Sequence, residues 1–89
     1  MNFKTIEEIQ IDLAQRFKKI RKIKGLTQKE LAIQSNVSYG SIKRFENSGE
    51  ISLNSLIKLC NVLDLTDEIN NLFKNISFKD ISEVIKYGK

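Results

Sequence analysis

Hydrophobic positions recur every three or four residues along most of the chain, which is the period of an α-helix. The first stripe consists of Ile6, Ile9, Leu13, Phe17 and Ile20. A capping box at Thr5 and Glu8 predicts where this helix begins. Gly25 predicts where it ends, since glycine is the usual residue just past a helix C-terminus.

The stretch 27–47 predicts two short helices joined by a tight turn. Thr27 opens the first in a second capping box, and Ser38 can cap the second. Asn36 stands in the turn, where a left-handed backbone is needed and asparagine substitutes for glycine. Ala32 is small enough for two helices to cross closely. The apolar positions that would face one another are Leu31, Val37, Ile42 and Phe45. This layout is typical of a helix-turn-helix, and a plain pair of core helices is the alternative.

The next apolar run predicts two further helices that close the core. Ser52 caps the fourth helix, with Ile51 before it, and Asp64 ends it. Its expected buried stripe is Leu53, Leu56, Ile57, Cys60 and Leu63. Thr66 is expected to cap a short fifth helix. The inward positions of that helix would be Ile69, Leu72 and Phe73.

Residues 76–89 form a final segment with an amphipathic pattern. Phe78, Ile81 and Ile85 share one helical face. The face can pack on its own domain, form a dimer contact, or dock on a partner protein, and the sequence leaves these alternatives open.

The motifs resemble those of the Cro/C1-type (Xre-like) helix-turn-helix repressors of phages and bacteria. The matching features are Arg21, GLTQKELA at 25–32, the FEN triplet at 45–47, and the apolar segment SLNSLIKLCNVLDL that follows. The resemblance spans residues 16–73, with Asn36 and Asp64 where the family usually has glycine. It implies an all-α, five-helix, lambda-repressor-like domain over residues 1–75.

Within that expected domain the helix-turn-helix occupies 27–47, and 76–89 becomes a short C-terminal tail helix. The family's first helix usually starts later, so residues 3–12 are an N-terminal extension. This extension either lengthens the first helix or forms a separate turn. The resemblance also implies a partly buried ion pair between Arg21 and Glu46, which would tie the first helix to the third.

Charge is unevenly distributed over the 89 residues, whose net charge is +4. The basic residues crowd around the first three helices and are Arg16, Lys18, Lys19, Arg21, Lys22, Lys24, Lys29, Lys43 and Arg44. Taken alone, this basic surface is equally consistent with a solvated helix face and with a surface that binds a phosphate backbone. Because it lies beside the predicted helix-turn-helix, we favour the phosphate-binding surface. A single cysteine and no histidine argue against a disulfide framework, a metal site or a cofactor. The lack of a long apolar run predicts a cytoplasmic protein that does not enter membranes.

The predicted DNA contacts lie mainly on the third helix. Helical phase turns outward Ser38, Tyr39, Gly40, Lys43 and Arg44. Arg44 is expected to read guanine, and Tyr39 to touch a thymine methyl or a sugar. Gly40 either permits close approach to DNA or is a tolerated surface glycine. Further ionic contacts are expected from Arg16 and Lys19, and the resemblance implies phosphate or flanking contacts from Gln28, Ser41 and Asn47.

The sequence therefore predicts a DNA-binding transcriptional repressor associated with the nucleoid. A homodimer on a palindromic operator is expected, because one such module buries little surface. The resemblance extends to antitoxin-type repressors that accompany HipA-like kinases, repress their own operon and bind the toxin. The alternatives are a phage or mobile-element regulator and a helix-turn-helix protein-interaction module that does not bind DNA. An enzyme is not expected, since no nucleophile–base pair or phosphate-cradling loop occurs.

Overall fold

A computed structural model describes residues 3–75 and 79 of the chain. The described residues form five helices and no strand, which confirms the predicted all-α, lambda-repressor-like fold. The helices are α1 (Ile6–Ile23), α2 (Gln28–Ser35), α3 (Tyr39–Ser48), α4 (Leu53–Val62) and α5 (Thr66–Asn70). The tail helix predicted within 76–89 lies outside the described residues.

Helix α1 is one continuous helix, so the N-terminal extension lengthens it. Thr5 Oγ1 accepts a hydrogen bond from the Glu8 amide at 3.1 Å, and Glu8 Oε1 accepts one from the Thr5 amide at 3.0 Å. This capping box satisfies amides that would otherwise lack a partner at the helix start. The buried residues of α1 begin only at Ala14. Three apolar residues before it are exposed, namely Ile6, Ile9 and Leu13. The periodicity had predicted that they pack in one stripe with Phe17 and Ile20.

The turn between α2 and α3 has the expected left-handed corner. Asn36 adopts φ 59° and ψ 29°, and Ser38 caps α3 by accepting from the Ser41 amide at 3.1 Å. The rings of Phe17 and Phe45 pack edge to face with centroids 5.2 Å apart. The buried apolar core is shared by α1 to α4 and consists of Ala14, Phe17, Leu31, Val37, Ile42, Phe45, Leu59 and Leu63.

The predicted buried stripe of α4 is correct for Leu56, Cys60 and Leu63 but wrong for Leu53 and Ile57. Leu53 is 66% exposed and Ile57 is also exposed, whereas Leu59 is fully buried. A stripe spaced by three or four residues fits more than one helical face, and the packing of α2 on α4 selects the face with Leu59. Cys60 is buried beside it, and this burial raises the pKa of its thiol.

The fifth helix also differs from the prediction. Leu65 occupies its N-cap position, so Thr66 does not cap the helix. Thr66 Oγ1 instead donates a hydrogen bond to Asn61 Oδ1 at 3.4 Å. The helix ends at Asn70, before Leu72 and Phe73. Both of these side chains are exposed, Phe73 by 89%, so the prediction that they point inward is wrong. The helix stops too early to carry them onto the core.

The capping box of α2 makes a pH-dependent contribution that can be measured. Glu30 accepts a hydrogen bond from the Thr27 amide at 2.9 Å, and this bond holds the pKa of Glu30 below its usual value. A lowered native pKa stabilises the fold above the ordinary glutamate pKa of about 4.3, and the stabilisation disappears as pH falls through the lower native value.

We therefore expect Glu30→Gln to lower the melting temperature at about pH 7, and this effect to shrink as the pH falls below the ordinary glutamate pKa of about 4.3 and through the lower native value. Glutamine keeps an acceptor at this position but removes the charge, so the variant isolates the ionised form. Thermal unfolding followed by circular dichroism across this range measures the difference from wild type. A difference independent of pH would contradict the assignment.

Candidate nucleic-acid interface

Helix α3 has a buried side and a fully solvent-facing side. Ile42, Phe45 and Glu46 are buried against the other helices. Every third-helix residue proposed for DNA contact is exposed, namely Ser38, Tyr39, Gly40, Ser41, Lys43, Arg44 and Asn47. The Ser38 hydroxyl donates to Ser41 Oγ at 2.8 Å, so both hydroxyls are held at the helix start. The geometry presents one continuous polar surface to a ligand.

A buried polar network fixes α3 to its neighbours. Arg21 Nε donates to Glu46 Oε2 at 2.7 Å, and Arg21 Nη2 donates to Glu46 Oε1 at 2.9 Å. Gln28 Nε2 donates to Glu46 Oε1 at 3.0 Å, and Gln15 Nε2 donates to the Glu46 carbonyl at 3.2 Å. We call Gln15, Arg21, Gln28 and Glu46 the Glu46 network. It joins α1, α2 and α3 in one rigid unit.

The Glu46 network changes the interpretation of Gln28. The sequence placed Gln28 among the phosphate contacts, but the structure turns its amide inward to Glu46 and leaves it half-buried. The backbone N–H groups at the start of α2 still face away from the helix, where an anion is favoured. A phosphate contact by Gln28 therefore remains a prediction.

Two lysines converge on Tyr39 at the start of α3. Lys43 Nζ lies 4.3 Å from the centre of the Tyr39 ring, and Lys29 Nζ of α2 lies 5.6 Å from it. Both distances are within the range of cation–π attraction. The aromatic ring therefore holds positive charge from two helices at the exposed end of α3.

Arg44 is paired with an acidic residue that the sequence analysis did not identify. Its Nε donates to Glu50 Oε2 at 2.9 Å, and its Nη2 contacts the same oxygen. The two residues are six positions apart, on either side of the left-handed turn at Gly49 (φ 81°). No helical spacing brings such a pair together, so only the geometry of this turn reveals it.

Arg16 and Lys19 lie on α1 rather than on the outward face of α3. They border a shallow depression with Lys4, Asp12 and Gln15. Lys4 forms an ion pair with Asp12, and this hydrogen bond lowers the pKa of the Asp12 carboxyl. Gln15 connects this side of α1 to α3 through its bond to the Glu46 carbonyl. Arg16 and Lys19 thus border the same depression as Gln15, which contacts α3.

The two glycines of the α3 region have opposite surroundings. A Cβ atom added at Gly40 would meet nothing within 4 Å. A Cβ atom at Gly49 would lie 2.6 Å from Gln10 Cβ, and 2.7 Å from the Gln10 backbone. Gly49 therefore lets the end of α3 pack directly on α1, whereas no packing contact among the described residues requires a glycine at position 40.

A capped helix, a left-handed corner and a second helix with one exposed polar face define a helix-turn-helix DNA-binding protein. The family model described as Helix-turn-helix matches residues 17–69, more than half of the chain. The chain belongs to this family, the Cro/C1-type helix-turn-helix proteins, and is a DNA-binding transcription regulator. A search of curated proteins finds no significant match. Within the described part of the chain, no helix has both the length and the apolar character to cross a membrane.

Proposed function

We propose that the chain is a sequence-specific transcriptional repressor that reads operator DNA with the outward face of α3. The observation that carries this proposal is the division of α3 into a buried side and an exposed side. In a helix-turn-helix the second helix enters the major groove, and its exposed side chains meet base edges. Arg44 is the proposed guanine reader, since its guanidinium can donate to both guanine acceptors. Tyr39 contacts an adjacent thymine methyl or sugar.

Phosphate contacts are proposed for the residues around α3. Ser38, Ser41 and Asn47 lie exposed on α3, and Arg16 and Lys19 lie exposed on α1. Lys29 and Lys43 add the positive charge held around Tyr39. Such contacts position a protein on the duplex without reading sequence, and they make affinity fall with rising salt.

We propose that the chain acts as a homodimer on a palindromic operator, with half-sites about one helical turn apart. A single module buries too little surface for tight specific binding, which supports a second copy. Exposed apolar side chains supply surface for a protein contact: Phe3, Ile6, Ile9, Leu13, Leu53, Ile57, Leu72 and Phe73. Sedimentation velocity on the purified chain tests this, and a monomer that stays monomeric on DNA overturns it.

The proposed target is the chain's own operon, in the cytoplasm at the nucleoid. The extended form of this proposal is an antitoxin that also binds a HipA-like kinase. It rests on the sequence resemblance at 38–73, and a phage or mobile-element regulator is the alternative. A kinase-like reading frame directly beside this gene, whose product co-purifies with the chain, supports the antitoxin. A neighbourhood of phage genes supports the alternative.

Footprinting on DNA upstream of the chain's own gene tests the proposed function. We expect a protected palindrome whose two halves lie on one side of the duplex. Selection from a randomised duplex library should return the same half-site. If the full chain protects no segment and enriches no sequence at moderate salt, the proposal fails, and a protein-interaction module becomes the better interpretation.

A further inference from the structure

We propose that Glu50 is a positioning residue that sets DNA specificity by fixing the guanidinium of Arg44. The proposal rests on the proposed function, in which Arg44 reads guanine. Arg44 has a side chain that is 71% exposed, and its ion pair is with Glu50 alone among the described residues. The pair therefore favours one orientation of an otherwise free arginine before DNA arrives.

The geometry of the ion pair leaves the correct edge of Arg44 free. Glu50 Oε2 accepts from Nε and from Nη2 on one edge of the guanidinium. The opposite edge, formed by Nη1 and the remaining hydrogen of Nη2, has no partner within the described residues. Those parallel donors match guanine O6 and N7, which both lie in the major groove. Arg44 can therefore hold Glu50 and a guanine at the same time.

The backbone that carries Glu50 is itself held by contacts on both sides. Ser48 Oγ donates to the Arg44 carbonyl at 2.7 Å and accepts from the Glu50 amide at 3.3 Å. Gly49 is pressed against Gln10 of α1, and half-buried Ile51 packs against the core on the other side. The backbone of Glu50 is therefore fixed on both sides. Glu50 thus acts as a buttress, meaning a carboxylate on a fixed backbone that limits the rotamers of Arg44. Fewer rotamers lower the conformational entropy that Arg44 loses when it binds DNA.

Glu50 also carries a negative charge beside the proposed DNA surface. A carboxylate near phosphates weakens binding to every duplex, whatever its sequence. A buttress and a simple repulsive charge therefore have different signatures. Removing a repulsive charge raises affinity for all duplexes equally. Removing a buttress also reduces the preference for guanine at one position.

The test uses the full chain as wild type, Glu50→Gln and a matched control, Glu68→Gln. Glu68 is exposed on α5, which packs on α4, so its replacement removes the same charge away from α3. Selection from a randomised duplex library gives the preferred half-site of the wild type. Dissociation constants are then measured on that duplex and on duplexes with each guanine replaced.

For Glu50→Gln we expect the preference for guanine at one position to fall by about 3- to 10-fold, part of what a bidentate arginine provides. Affinity for a scrambled duplex should rise, and Glu68→Gln should leave the preference unchanged. The same substitution made beside Arg44→Ala should cause no further loss of preference. Melting temperatures should match the wild type, since an exposed ion pair contributes little stability.

Two results overturn the inference while leaving the proposed function intact. One is an unchanged guanine preference in Glu50→Gln. The other is an equal loss of preference with and without Arg44, which means that Glu50 does not act through it. A wild-type chain that enriches no duplex overturns the proposed function itself, and this inference with it.

Discussion

Replacing Glu46 with alanine is expected to lower the free energy of unfolding by about 3–5 kcal/mol. The substitution leaves Arg21 charged and almost fully enclosed, because both side chains are at most 7% exposed. It also removes the acceptor of half-buried Gln28, so a second donor loses its partner. Chemical denaturation followed by circular dichroism measures the effect.

Two further variants identify the cause of this loss. Glu68→Ala removes an exposed carboxylate and should change stability by less than about 0.5 kcal/mol. The double replacement Arg21→Met with Glu46→Leu removes both charges and fills similar volume, so it should recover much of the lost stability. If Glu46→Ala lowers the free energy of unfolding by less than about 1 kcal/mol, the Arg21–Glu46 pair contributes no more than an ordinary surface ion pair, and the expectation is wrong.

Replacing Arg44 with alanine is expected to reduce the discrimination between operator and scrambled duplex by about 1–3 kcal/mol, or roughly 5- to 150-fold. The loss should fall on one base pair of each half-site, because the contact proposed for the guanidinium is with a single guanine. The side chain is exposed, and the substitution should leave the fold intact. Binding titrations on the operator and its single-base variants measure the effect.

Lys19→Ala is the matched comparison for Arg44→Ala. Lys19 is exposed on α1, and its proposed partner is a phosphate. Its loss should weaken binding to all duplexes alike. It should also reduce the slope of log affinity against log salt concentration by about one. Equal losses on operator and scrambled duplex for Arg44→Ala would refute its assignment as a base reader.

Local sequence signals predicted the starts of α1 to α4 and the turn well, but not the start of α5. The capping boxes at Thr5 and Thr27 and the left-handed Asn36 each depend on residues within four positions of one another. The alternation of buried Ile42 and Phe45 with exposed Lys43 and Arg44 follows from helical phase alone. These features determine the exposed face of α3, so most of the proposed site could be predicted.

Long-range packing explains what the sequence did not provide. Leu59 rather than Leu53 faces the core, because contact with α2 chooses between two possible faces of α4. The inward turn of Gln28 depends on Glu46, which lies eighteen positions later. The pairing of Arg44 with Glu50 depends on the turn geometry at Gly49. None of these follows from local propensity.

The open surroundings of Gly40 bear on how this protein can acquire new targets. Every neighbouring position of α3 already carries a side chain, while a Cβ added at position 40 would have no packing neighbour within 4 Å among the described residues. A side chain can therefore be introduced there without disturbing the core. In the proposed complex with DNA, one codon change at position 40 would add a side chain to the surface that reads the operator.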